Sequence, residues 1–420
     1  MTPMNSTEKK VIKSLDVGGL IGSICDLIEI PSITGLESTA QRFVASLMNE
    51  VGLGVDIWEI DLDTLRRNPH FSMGVDRKEG LGVVGGMGES GSRSLILNGH
   101  IDVVSPGDES NWRHPPWTGI VEDGRLYGRG AVDMKGGLCC ALYAVKAVRD
   151  AGVELDGRLI VESVVGEEDG GIGTLAAILR GYKANAAIIM EPTELKVAPA
   201  QAGSHCFRIR VKGLSAHACV REEGVSALDK FMPIYNALMS LEIKRNSEVH
   251  DPLYSRYRLP IPLNIGVVKC GSWPSSVPEE LVFEGRYGIG VDEDVGVAHR
   301  AFEEAVSNAS CADDWLNIHP PEIEWVGGQF NPTRTPMDNS VSTTLAKAYR
   351  DTTGSQAIYE GVTYGSDMRH LVNIGNIPTV LFGPGDVRLC HRPDENVSID
   401  DLIKAASTLA LTIVRYCGIV

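Results

Sequence analysis

A chain of 420 residues is longer than one ordinary hydrophobic core supports, so two domains are the first expectation. Its 43% hydrophobic and 22% charged residues are those of a globular protein in water, and a formal net charge of −16 argues against nucleic acid and membrane as partners, since both reward basic patches. The nine cysteines contain no CxxC pair, which predicts reduced, mostly buried thiols and a cytoplasmic protein, with Cys139 and Cys140 as small apolar packing on a helix. The first nineteen residues have no long apolar run after their lysines, so no signal peptide is expected. No stretch approaches the ~18 apolar residues of a membrane span.

From residue 94 onward, apolar runs alternate with helix-period stretches. SLILNGHIDVV (94–104) predicts a buried strand and its exit, and MKGGLCCALYAVKAVRDAG (134–152) a helix stopped by Gly152. GRLIVESVV (157–165) reads as strand, GIGTLAAILRG (171–181) as helix and NAAIIM (185–190) as strand. That order means βαβ units and a mainly parallel sheet. The pattern then changes: HCFRIRVKG (205–213) alternates as a half-solvated strand does. A helix near 225–242, LNIGVVKCG (263–271), ELVFEGRYGIG (280–290) and a helix near 294–309 complete a small α+β unit with an antiparallel sheet. Beyond 333 come a helix (338–350), a short strand TVLFG (379–383) and a last helix (400–416). The expected fold is α/β: a mainly parallel-sheet domain over residues 1–205 and 326–420, interrupted by a smaller α+β domain over 206–325.

VVGEEDGG (164–171) places Glu167 and Glu168 side by side where an apolar strand stops. Two adjacent carboxylates at the mouth of a sheet cost desolvation and repulsion unless a cation waits there. Other ligand-type side chains also lie at the C-terminal ends of α/β strands, where open parallel sheets bind ligands. His100 and Asp102 stand in GHID, Asp133 in GRGAVDMKGG, Glu191 in MEPT and His391 in LCHRPDE. Each alone has an ordinary explanation as a loop hydrogen bond, a helix cap or a turn. Five strand ends together, with two His, several carboxylates and no Cys, suit zinc or another divalent transition ion in an open catalytic site. On an extended backbone successive side chains diverge, so Glu168 would hold metal while Glu167 serves the water as general base and then acid. Asp133 could bridge two metals ~3.5–4 Å apart. Asp102, two residues from His100, is placed to hydrogen-bond its ring.

GHIDVV, YGRGAVDMKGG, VVGEEDGG, MEPT and CHRPDE resemble, in order, the signature blocks of the acetylornithine deacetylase, succinyl-diaminopimelate desuccinylase and carboxypeptidase G family of metallopeptidases. The resemblance implies a zinc-peptidase-like catalytic domain with two Zn(2+) per subunit, a site that Co(2+) or Mn(2+) can also occupy, and an inserted lid and dimerisation domain that makes a homodimer. It assigns His100, Asp133 and Glu191 to one metal and Asp133, Glu168 and His391 to the other. Glu167 becomes the catalytic base, Asp102 the residue that orients His100, and the Asp133–Met134 peptide is expected to be cis. GLSAHACV (213–220) is similar to the lid motif, so His217 would stabilise the oxyanion in the partner subunit. Asn264, Arg286 and, in YGSDMRH (364–370), Ser366 with Asp367 and Arg369 fall where the family binds substrate.

The implied reaction is cleavage of the amide of a small N-acyl amino acid or related N-acyl compound by attack of a di-zinc-bound hydroxide. A metallo-carboxypeptidase or dipeptidase is the alternative within the family, and a deformylase of an N-formyl aminopyrimidine is a third. A non-catalytic binder is the reading from another class, and it gives Glu167 nothing to do.

Overall fold

The structure, a computed structural model, describes residues 4–88 and 93–420. The chain divides into two compact units, one of residues 1–200, 334–360 and 366–420, the other of residues 201–333 and 361–365. Among the described residues the first unit is built on a nine-stranded sheet. At its centre Arg158–Val164, Ser94–His100, Ala186–Ile189 and Thr379–Leu381 lie side by side in that order, all parallel. Nearly every residue in these four strands is buried and most are apolar, the buried pair Asn98 and Glu162 being hydrogen-bonded to each other at 2.9 Å.

The sheet's outer strands are antiparallel. Leu81–Met87 pairs with Arg158–Val164, Gly54–Glu59 pairs with Leu81–Met87, and Val197–Gln201 pairs with Thr379–Leu381. Sequence patterning does not reveal the first two, because LGVVGGM carries turn residues inside a strand. Gly82 explains one of them: a Cβ there would lie 2.3 Å from the Trp58 ring that packs over it.

The helix Lys135–Asp150 packs on the sheet with Gly136 and Gly137 at its first turn. A Cβ on Gly137 would sit 2.3 Å from the Met190 carbonyl oxygen, one residue before Glu191. Gly137→Ala is therefore expected to destabilise the fold by about 1–3 kcal/mol, overriding alanine's better helix propensity. A thermal melt checks this, and an unchanged or raised midpoint would contradict it. The Asp133–Met134 peptide at the head of this helix is cis.

In the second unit Leu263–Cys270, Glu280–Ile289, Gly203–Lys212 and Glu322–Phe330 form an antiparallel sheet in that order. Its core joins Phe207, Phe283, Tyr287 and Phe302 with Leu238 and Ile234 of the helix Ala227–Ser247. The strand Glu322–Phe330 escapes a periodicity reading because its register shifts between Trp325 and Gln329, around Gly327 at φ 62°.

All nine cysteines are free, but the expectation of mostly buried thiols needs correction: Cys139, Cys140 and Cys417 are buried, whereas Cys219, Cys270 and Cys311 are exposed. Two of the exposed thiols sit at the ends of the strand Leu263–Cys270 and the helix Val295–Cys311, where apolar character no longer implies a core position. Among the described residues no helix is long and apolar enough to cross a membrane.

Candidate metal centre

The four parallel strands end on the same edge, and the loops that leave them carry the acidic and imidazole groups. His100 is the last residue of its strand, Glu167 and Glu168 follow Val164, Glu191 follows Ile189, and His391 lies beyond Leu381. Asp133 arrives on the loop before the helix Lys135–Asp150; Met134 is the N-cap, so the Asp133 carboxylate is not spent on the helix end.

Asp133 stands between the two imidazoles. Its Oδ1 is 3.0 Å from His100 Nε2 and its Oδ2 is 3.3 Å from His391 Nε2. Glu168 Oε1 lies 3.1 Å from His391 Nε2, and Glu191 Oε1 lies 3.9 Å from His100 Nε2. His100, Asp133 and Glu168 offer ligand atoms within 4.8 Å of one another, and so do His100, Glu167 and Glu191. All six sequence-predicted groups are thus brought together.

The electrostatics of this cluster call for a cation. Among the described residues no Lys or Arg forms an ion pair with Asp133, Glu167, Glu168 or Glu191. Burial, reinforced by the neighbouring carboxylates, pushes Glu191 up to about 8, Glu167 well above the carboxylate range, and Glu168 upward. Burial would depress the imidazoles, yet hydrogen bonds to Asp133 and Glu168 raise His391 to about 11, and Asp133 with the surrounding acids raises His100. The donor set of two imidazoles and hard carboxylate oxygens suits a divalent ion such as zinc, cobalt or manganese. Burial and the same acids push the Cys390 thiol far up.

Two details depart from expectation. Residues 167–170 form a turn, not extended backbone, so it is the turn that separates Glu167 from Glu168. Asp102 does not hold the His100 ring through its carboxylate, which is 3.6 Å away; His100 Nδ1–H donates to the Asp102 main-chain carbonyl at 2.9 Å. The Asp102 carboxylate instead accepts from the amides of Glu167 at 3.2 Å and Glu168 at 3.1 Å. It therefore fixes the acidic turn, because a strand-end carboxylate beside a turn meets unpaired N–H groups first.

Sequence reasoning overlooked the far side of that turn. Asp169 accepts from the amides of Gly74 and Val75 and from Arg77, which also bonds Glu37 at 2.9 Å. Arg77 and Glu37 have almost no exposed side chain. The third acidic residue of GEEDGG was the available signal.

Ser366, Asp367 and Arg369 are buried. Ser366 Oγ accepts from Met368 N at 3.2 Å, and the Asp367 carboxylate accepts from Thr174 Oγ1 at 2.6 Å. Arg369 donates to the carbonyl of Gly170, at the end of the acidic turn. In the second unit Asn264 and Arg286 are direct partners across adjacent strands. Asn264 is exposed; Arg286 donates from Nη2 to Thr363 O at 2.6 Å, and its buried Nε has no partner among the described residues. His217 is exposed and caps a short 3-10 turn, its Nδ1 accepting from Cys219 N at 3.2 Å. That bond leaves the proton on Nε2.

A parallel sheet whose strand ends gather imidazoles and buried carboxylates around a place for cations defines a metal-dependent hydrolase. The chain belongs to peptidase family M20/M25/M40, whose sequence profile matches residues 96–415. It is a hydrolase acting on amide bonds. It is 29% identical over 400 residues to the N-formyl-4-amino-5-aminomethyl-2-methylpyrimidine deformylase of Halalkalibacterium halodurans, across 90% of this chain and 89% of that protein. It is 23% identical over 416 residues to a Staphylococcus aureus protein named "Probable succinyl-diaminopimelate desuccinylase", across 94% and 96% of the two chains. The fold is shared with the di-peptidase Dug1p of Saccharomyces cerevisiae at a TM-score of 0.78 and 14% identity, covering 99% of each chain.

Proposed function

We propose that the protein is an N-deacylase that hydrolyses the amide of a small N-acyl compound at a site holding two zinc ions, and that the acyl group is formyl on an aminopyrimidine. One observation carries the two-metal reading: the two oxygens of Asp133 face two different imidazoles, with Glu191 on the His100 side and Glu168 on the His391 side. The 29% identity to a pyrimidine deformylase, over nearly the whole of both chains, supports the substrate class.

In this reading His100, Asp133 and Glu191 hold one ion and Asp133, Glu168 and His391 the other. Bound divalent ions supply Lewis acidity to the carbonyl and to the attacking water. Glu167 takes a proton from that water and delivers it to the nitrogen of the departing amine. Glu167 is 6% exposed and its carboxylate makes no hydrogen bond to any described residue, which leaves it free to accept. Asp102 holds the turn that aims Glu167. His217, Arg286 and Asn264 are carried as the oxyanion and substrate residues, and the inserted unit as the lid and the interface of a homodimer.

The test is amine release by the zinc-loaded protein from a panel of N-formyl aminopyrimidine, N-acetyl and N-succinyl amino acids, and dipeptides. The expected result is a kcat/KM for the formyl compound at least tenfold above the others. Preference for a succinyl or acetyl substrate would replace the acyl group. Turnover of dipeptides alone would overturn the deacylase reading.

A further inference from the structure

Asp133 and His391 lie on loops far apart in sequence, and neither loop belongs to a helix or strand that would set its position. One side chain outside the proposed ligand set joins them. The amides of Gly130, Val132 and Asp133 donate to Glu395 Oε1 at 3.0, 2.9 and 3.1 Å. Glu395 Oε2 accepts from Arg129, and the Glu395 carbonyl accepts from Gly128 N at 3.0 Å. Arg129 is 1% exposed and Glu395 not at all.

Successive amides wrapped around one anion form a nest, and the chain supplies the anion itself. The wrapping needs Gly128 at φ 147° and Gly130 at φ 87°, where a side chain is disfavoured. Glu395 is only four residues beyond His391. A single carboxylate therefore ties the backbone of Asp133 to the segment that carries His391. A buried ion pair by itself contributes little net stability, so Arg129–Glu395 is better explained by the geometry it enforces.

We propose that Glu395 is a positioning residue of the metal centre: its Oε1 sets the distance between Asp133 and His391 by clasping three amides of the Asp133 loop. This rests on the ligand reading above. Arg129 balances the Glu395 charge, so that the clasp adds no further net negative charge to the acidic cluster.

Cobalt(II) is the probe, read by its affinity and its visible absorption, which reports ligand geometry independently of activity. Two double variants both carry Arg129→Met, so that no unpaired guanidinium is buried. With Glu395→Gln an oxygen still receives the amides, and affinity is expected within about threefold of the native protein with an unchanged spectrum. With Glu395→Met the volume is kept but the acceptor is lost; a 10–100-fold weaker affinity and an altered spectrum are expected, as for other groups that orient ligands. If the Met variant does not fold, the single Glu395→Asp variant keeps the charge for Arg129 and draws the oxygen back from the amides, with about tenfold loss expected. A folded Met or Asp variant with native affinity and spectrum overturns the proposal, as does a Gln variant that loses as much as Met. A native protein that binds no cobalt(II) refutes the ligand set itself, a result obtained before any variant is made.

Discussion

Glu167→Gln is expected to lower kcat by about 10²–10⁴-fold while the protein keeps its metal and its fold. The substitution changes one atom. The turn survives because it is held by the Glu167 and Glu168 amides on the Asp102 carboxylate, not by the Glu167 side chain. The fold should be no weaker, since one carboxylate leaves a crowded cluster in which burial and neighbouring acids already push Glu167 upward. What disappears is the only function the side chain has: accepting a proton. Steady-state kinetics and metal analysis of the same preparation give the answer. Unchanged turnover would sink the mechanism. Loss of metal together with turnover would make Glu167 a ligand, as its grouping with His100 and Glu191 allows geometrically.

Chelation should abolish turnover and leave an apoprotein that grows less stable as pH rises. Glu191 moves from 4.5 to about 8 in the folded chain, and His391 from 6.5 to about 11. A group whose pKa is raised by folding contributes stability that is complete below its unfolded value and is lost as pH climbs through its folded value. For Glu191 that window is 4.5 to about 8, and for His391 it is 6.5 to about 11, so both fall in the same direction. His391 has a half-exposed side chain and is screened by water, so Glu191 contributes more than His391, and the raised Glu167, Glu168 and His100 act in the same direction. Between pH 5.5 and 8.5 the loss is on the order of a few kcal/mol. Restored zinc should flatten the profile, because a cation replaces the protons. Thermal melts at three pH values, with chelator and with zinc, measure it; an apoprotein equally stable at pH 5.5 and 8.5 would show that these acids are not crowded.

Much of the site was legible because of how parallel sheets are made. A strand buried on both faces is mostly apolar, so polar residues just past its end stand out, and four such ends are neighbours in one sheet; Asn98 and Glu162 are the exception inside the strands, paired with each other at 2.9 Å. That is why His100, Glu167, Glu168 and Glu191 could be picked from the chain, whereas His391 lies ten residues past its strand and is marked by its motif. The edge strands Gly54–Glu59 and Leu81–Met87 were not legible, because Gly82 and Gly85 are spent on close packing against Trp58 and Leu53, not on turns.

The sequence by itself determined the ligand-type side chains, their order along the chain and the interruption of the α/β pattern, all of which are local. Only the tertiary structure decided which atom does what. The Asp102 carbonyl, not its carboxylate, meets His100, and the carboxylate goes to the acidic turn instead. Arg77 closes that turn from one side and Glu395 clasps the Asp133 loop from another. Except for the bond between His100 and Asp102, these are hydrogen bonds between segments remote in sequence. They are set by where unpaired amides come to lie once the sheet has formed, and no spacing along the chain encodes that.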